Sequence, residues 1–128
     1  MTGLDPFTPA WQVAEAVATG TVTAEAVVRS ALDRVATVNP AVNAFTDVTA
    51  ERALAQARAI DADRAAGKPL PMLAGVPVAV KNLFDIQGLP TRAGSKINRD
   101  LAPATRDGML IERLTAAGAV LIGGLNMG

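Results

Sequence analysis

The chain has 128 residues, half of them apolar, which suffices for one ordinary hydrophobic core. Twelve basic and twelve acidic side chains cancel, which gives no long-range field to draw in nucleic acid or an anionic membrane, and with only one Trp and three Phe a base-stacking platform is not expected. With no His and no Cys, the segment cannot supply a Ser-His-Asp triad, a thiol nucleophile, a disulfide or an ordinary zinc site; any catalysis must use Ser, Lys, Asp or Glu.

The opening MTGLDPFTPA has no basic n-region and no apolar h-region, and no apolar run approaches the ~20 residues of a membrane span. A cytoplasmic protein is expected. A first helix is predicted from Pro9 to Ala18, with Thr8 as N-cap, Ala10, Val13, Ala14 and Val17 on one face, and Gly20 as its stop. A second follows Thr23, carries the stripe Val27, Val28, Ala31, Leu32 and Val35, and is expected to end at Asn39-Pro40, because a residue before Pro is pushed out of the helical region. Asn43 to Val48 favours a short edge strand. From Thr49 a third helix is predicted to about Ala66, with Ala53, Ala57, Ile60 and Arg64 along one side and its Arg and Asp residues assigned to solvent.

Lys68 to Pro71 reads as a linker into an apolar run, Val76 to Val80, that ends in Lys81. Its length and Val enrichment fit a strand buried on both faces, although Pro77 removes a ladder donor and argues for an edge position in its first half. Lys81 then falls where a sheet ends and a ligand crevice commonly opens. Desolvation there favours the neutral amine, a competent base, so a buried Lys81 with a lowered pKa is one expectation. The other is an ordinary lysine that runs its methylenes along apolar surface and keeps its charge in water.

The turn-rich stretch Gly88 to Ser95 is too long for a hairpin and reads as a functional loop. After a further loop, Asn98 to Pro103, a helix is expected to open at Thr105-Arg106-Asp107 and run through Ala117, burying Leu110, Ile111, Leu114 and Ala117. Ala119 to Ile122 follows as a second buried strand, with no outgoing helix after Gly123-Gly124-Leu125-Asn126-Met127-Gly128. Those glycines fit neither a dinucleotide fingerprint nor a P-loop. The fold class is therefore α/β: N-terminal helices, then the start of a mixed or parallel sheet covered by helices.

Gly75-Val76-Pro77-Val78-Ala79-Val80-Lys81, with Asn82-Leu83-Phe84-Asp85-Ile86 and Gly88 to Ser95, resembles the first block of the amidase signature family; Ala117 to Val120 and Leu125-Asn126-Met127 extend the likeness. Many members have Asp after the Lys. Asn82, together with Leu83-Phe84-Asp85 and Thr91 through Asp100, is most like the carboxybiuret hydrolase branch, which works on small urea-like amides. The resemblance implies a Ser, cis-Ser, Lys triad of which Lys81 alone is present, the serines lying downstream in a Gly/Ser-rich block. It further implies that residues 1–128 are the N-terminal part of a single amidase domain without an internal boundary, inactive alone. No metal or organic cofactor is implied. The partners expected are a small-molecule amide substrate and a second copy or a small accessory subunit, with no nucleic acid and no membrane. The A subunit of the tRNA-dependent amidotransferases and a non-catalytic remnant of the scaffold are the alternatives. The serines present, Ser30 and Ser95, read as a helix hydroxyl and a loop hydroxyl, with a self-contained Ser95–Lys81 dyad as the rival.

Overall fold

The computed structural model describes residues 4–98 and 100–127. Arg99, within the loop expected over Asn98 to Pro103, and Gly128, at the end of the glycine-rich tail, lie outside the described residues.

Helix α1 spans Ala10–Thr19 and closes on Gly20 in the left-handed region. Helix α2 spans Ala24–Val42, its first turn held by the Thr23 hydroxyl, which accepts the Ala26 N–H at 3.0 Å, and by the Asp61 carboxylate, which accepts the N–H groups of Ala24 and Glu25 at 2.7 and 3.0 Å. The expected break at Asn39-Pro40 does not occur. The helix runs one turn past it to Asn43, which adopts a left-handed conformation, while the Asn39 carboxamide braces this last turn by bonding both the N–H and the carbonyl of Phe45. That brace and the position of Pro40 in the final turn confine the disruption to one missing helical donor.

Strand β1, Phe45–Val48, leads into helix α3, Ala50–Ala65. Thr49 does not cap α3; its hydroxyl donates to Leu121 O at 2.8 Å and its N–H to Ile122 O at 2.9 Å, stitching the β1 exit to the sheet. Strand β2 is Pro77–Lys81, helix α4 is Met109–Ala116 and strand β3 is Val120–Leu125. Helix α4 starts later than expected because the Asp107 carboxylate is turned onto Arg52 and the Gln87 N–H instead of the first turn of the helix. Leu110, expected inside, is exposed, while Ile111 is buried.

The sheet order is β1-β3-β2, with β2 parallel and β1 antiparallel to β3. The last strand in sequence is thus central, paired on both sides, and the mixed sheet agrees with the sequence reading. Pro77 begins an edge strand, where a missing donor is tolerated. The β2–β3 ladder slips between Val78 and Ala79, which face Leu121 and Gly123, leaving Ile122 as the extra residue of a bulge. Alternation along β3 sends Val120 and Ile122 into a core shared with α1, α2 and α3, where Val17, Val28, Ala53 and Ala57 pack, and sends Leu121 into a smaller core with Val80, Ile86 and Ile111 of α4. β2 is only half-buried along most of its length, unlike the two-sided burial its Val content suggested; it lies at the edge. β3 continues through Gly123 and Gly124, beyond its expected end at Ile122. At Gly123 a Cβ would overlap the Asp47 carbonyl and stand 2.7 Å from the Phe45 ring, so β1 approaches as closely as only glycine permits.

Candidate active site

Because β2 and β3 are parallel, their C-terminal ends, Lys81 and Leu125, lie side by side. The segments that leave them converge. The N–H of Asn82 donates to Leu125 O at 2.9 Å, the N–H of Ala93 donates to Asn82 O at 3.2 Å, and Gly94 packs so tightly on Met127 that a Cβ there would lie 2.7 Å from its Cγ. Ala93 and Gly94 both take positive φ, 50° and 73°. For Ala93 that conformation costs on the order of 1–2 kcal/mol, a local strain of the kind that concentrates at functional loops.

Lys81 closes this edge as the sequence suggests, yet its side chain is exposed, and the expectation of burial is corrected. The physical reason is topological: β2 is the outer strand, and no described element covers its end. The ammonium makes no ion pair with any described carboxylate. Asp85, the nearest acid in sequence, instead accepts the Thr91 hydroxyl at 2.5 Å, while its carbonyl accepts the Gly108 N–H at 2.8 Å.

Ser95 does not form a dyad with Lys81. Its Oγ accepts the Ile97 N–H at 3.3 Å and its N–H donates to Arg92 O at 3.0 Å, which makes it a local loop hydroxyl. Ser30 is exposed on α2 and lines a cavity of about 260 Å³ with Leu4, Asp5, Arg34 and Pro77. That cavity opens at the N-terminal end of β2, the opposite end from Lys81, so it is not where the strand-end chemistry sits.

Two features of the site had no sequence signal, because they join residues far apart in the chain. Asn82 is buried, and its Nδ2 donates to Thr46 Oγ1 of β1 at 3.3 Å, while its Oδ1 is buried without a hydrogen-bond partner. An acceptor left so costs on the order of 1–3 kcal/mol. The second is a bidentate clamp. Both terminal nitrogens of Arg52 on α3 reach Asp107 at 2.7 Å, and Asp107 also accepts the Gln87 N–H at 2.9 Å, fixing the loop that follows Lys81. The Arg52 guanidinium holds the Asp107 carboxyl below the usual aspartate range; burial opposes this and the Gln87 N–H assists it. Arg52 and Asp61 therefore depart from the solvent role expected for the charges of α3. At the surface, Arg29 and then Arg58 lower the Glu25 carboxyl in the same way.

Among the described residues no group of acidic side chains is arranged to hold a metal, and no helix is long and apolar enough to cross a membrane. The arrangement offers an exposed amine at a strand end, a strained loop beside it and a rigid backbone frame beneath it.

The model of the amidase family matches residues 26–128. The chain is 55% identical over 116 residues to AtzE, a 1-carboxybiuret hydrolase subunit of Pseudomonas sp. (strain ADP), covering 91% of this chain and 25% of that one. It is 47% identical over 127 residues to the glutamyl-tRNA(Gln) amidotransferase A subunit of Salinispora tropica, covering 99% and 26%. Among solved structures, a vestigial protein complex bearing on the evolutionary origins of an s-triazine catabolic enzyme matches with TM-score 0.92 and 53% identity over 94% of this chain and 26% of that one. A bacterial aryl acylamidase of the amidase signature family matches with TM-score 0.87 and 26% identity over 94% and 25%. The chain spans about a quarter of the length of the curated relatives it matches. Since the family model covers most of the chain and the helices and mixed sheet superpose on solved members, the chain belongs to the amidase signature family.

Proposed function

We propose that residues 1–128 form the N-terminal part of a single amidase domain, in an amidohydrolase that cleaves the C–N bond of small amide or urea-like substrates. Lys81 is the base of a Ser, cis-Ser, Lys triad whose serines lie in the part of the relatives that this chain does not span. The observation that carries the reading is Lys81, exposed and without an ion pair to any described carboxylate, at the C-terminal end of a parallel strand pair, where the loops after β2 and β3 meet. In its free-base form Lys81 would take a proton through the bridging serine while the nucleophilic serine attacks the amide carbon. Backbone N–H groups would hold the oxyanion; its collapse would break the C–N bond as the proton held on Lys81 passes back through the bridging serine to the departing amine, and water would then release the acyl group.

The substrate class follows the 55% identity to a 1-carboxybiuret hydrolase subunit. The 47% identity to an A subunit of an amidotransferase supports a second reading, in which the same chemistry feeds ammonia to a tRNA-linked acceptor. Both relatives are named as subunits, which supports an accessory partner for the whole protein.

The test is ammonia release by the amidase-length protein carrying this segment. Lys81→Ala should reduce it by about 10²–10⁴-fold, the usual contribution of a general base, whereas Ser95→Ala should leave it within about twofold. Activity without tRNA favours the hydrolase. Covalent labelling of Ser95 by a serine-directed phosphonate in the 128-residue chain would overturn the assignment in favour of the Ser95–Lys81 dyad.

A further inference from the structure

The residue after Lys81 has no part in the chemistry proposed above, yet it is held from three directions. Asn82 is 6% exposed and is the one buried polar residue among those described. Its N–H is bonded to Leu125 at the end of β3, its carbonyl to Ala93 in the loop, and its Nδ2 to Thr46 Oγ1 on β1. The Thr46 hydroxyl in turn is directed at Asp47 Oδ2, 3.1 Å away, with Gly124 O more distant at 3.4 Å. The donors run one way, from amide to hydroxyl to carboxylate.

That direction has a consequence for what can stand at position 82. A hydroxyl has one proton to give. With an amide at 82, Thr46 receives from Nδ2 and gives to Asp47. With a carboxylate at 82, Thr46 would face two acceptors of like charge and could satisfy one, leaving either the half-buried Asp47 or the buried group at 82 without that donor. The Lys81 ammonium has no bond of its own to a described carboxylate, so its position depends on the β2 backbone and on whatever fixes the next residue.

We infer that Asn82 is a positioning residue that fixes Lys81 through the Asn82–Thr46–Asp47 relay, and that Asp47 is the reason an amide rather than an acid stands there. The inference rests on Lys81 being the base.

The experiment uses the amidase-length protein with 1-carboxybiuret and propionamide as probes, and compares Asn82→Ala, Asn82→Asp, the double variant Asn82→Asp with Asp47→Asn, and Lys81→Ala. Both single changes at 82 should lower kcat by about 10–100-fold with KM within about twofold, the pattern of a misplaced catalytic group rather than a damaged binding site. The double variant should recover most of kcat and of the unfolding midpoint, because the amide introduced at position 47 can donate to Thr46 and Thr46 to the carboxylate introduced at position 82, the relay reversed. If Asn82→Asp does not fold, recovery of soluble protein by Asp47→Asn is the readout. An Asn82→Ala protein with kcat within about twofold of the parent, beside an inactive Lys81→Ala, would overturn the inference. So would a double variant no better than Asn82→Asp in both kcat and midpoint. If Lys81→Ala stays active, the assignment of the base has failed instead, and the midpoints alone then decide the relay.

Discussion

Removing the Arg52–Asp107 clamp should loosen the loop that follows Lys81 and destabilise the domain. The pair is bidentate, with two contacts of 2.7 Å, and its side chains are 26% and 14% exposed, so it stands between a solvated surface pair and a buried one. Exposed pairs contribute about 0.2–1 kcal/mol, whereas hydrogen bonds to charged groups contribute about 1.5–3 kcal/mol each. A coupling of about 1.5–3 kcal/mol is expected from a double-mutant cycle of Arg52→Ala and Asp107→Ala in urea denaturation near neutral pH. Arg52→Lys should keep less than half of it, because an ammonium cannot make the forked contact. The pH dependence has a definite sign. The Asp107 pKa is depressed in the folded state, chiefly by Arg52, so the stabilisation is complete above the ordinary aspartate value of about 4 and is lost as pH falls through the lower folded value. Amide hydrogen exchange at Gln87, whose N–H donates to Asp107, reports the same event locally and should quicken in both single variants. A coupling below about 0.5 kcal/mol, or one unchanged at pH about 2, would refute the reasoning.

Gly123→Ala should destabilise the sheet by about 1–3 kcal/mol, since its Cβ meets backbone and a ring on β1 that cannot both retreat; a change under about 0.5 kcal/mol in the unfolding free energy would contradict the close approach. Asp61→Ala should cost about 0.5–2 kcal/mol by leaving the Ala24 and Glu25 N–H groups without their acceptor, with faster exchange confined to the first turn of α2.

Local signals in the sequence determined a good deal. Helical periodicity placed Val13 and Val17, Val27 and Val28, and Ala53 and Ala57 on the faces that they bury. Gly20 stops α1, the Thr23 hydroxyl caps α2, and the Val-rich run before Lys81 forms a strand with Pro77 at an edge. These are decided within a few residues by φ preference, capping and amphipathic spacing, whereas the amidase motif around Lys81 was legible as a family resemblance carried by contiguous residues. Where competing interactions came from distant residues, local rules gave way. Pro40 stays helical because Asn39 is tied to Phe45, and Asp107 does not open α4 because Arg52, 55 positions away, takes its carboxylate. The order β1-β3-β2 makes the last strand central and leaves β2 at the edge, so Lys81 is exposed where its apolar neighbours suggested burial. The environment of Asn82 depends on Thr46, 36 residues earlier, reaching it across β3. A local pattern fixes which face of an element is apolar; pairing partners, edge position and the bonds of a buried polar atom are set by which strands meet, and that only the tertiary structure decides.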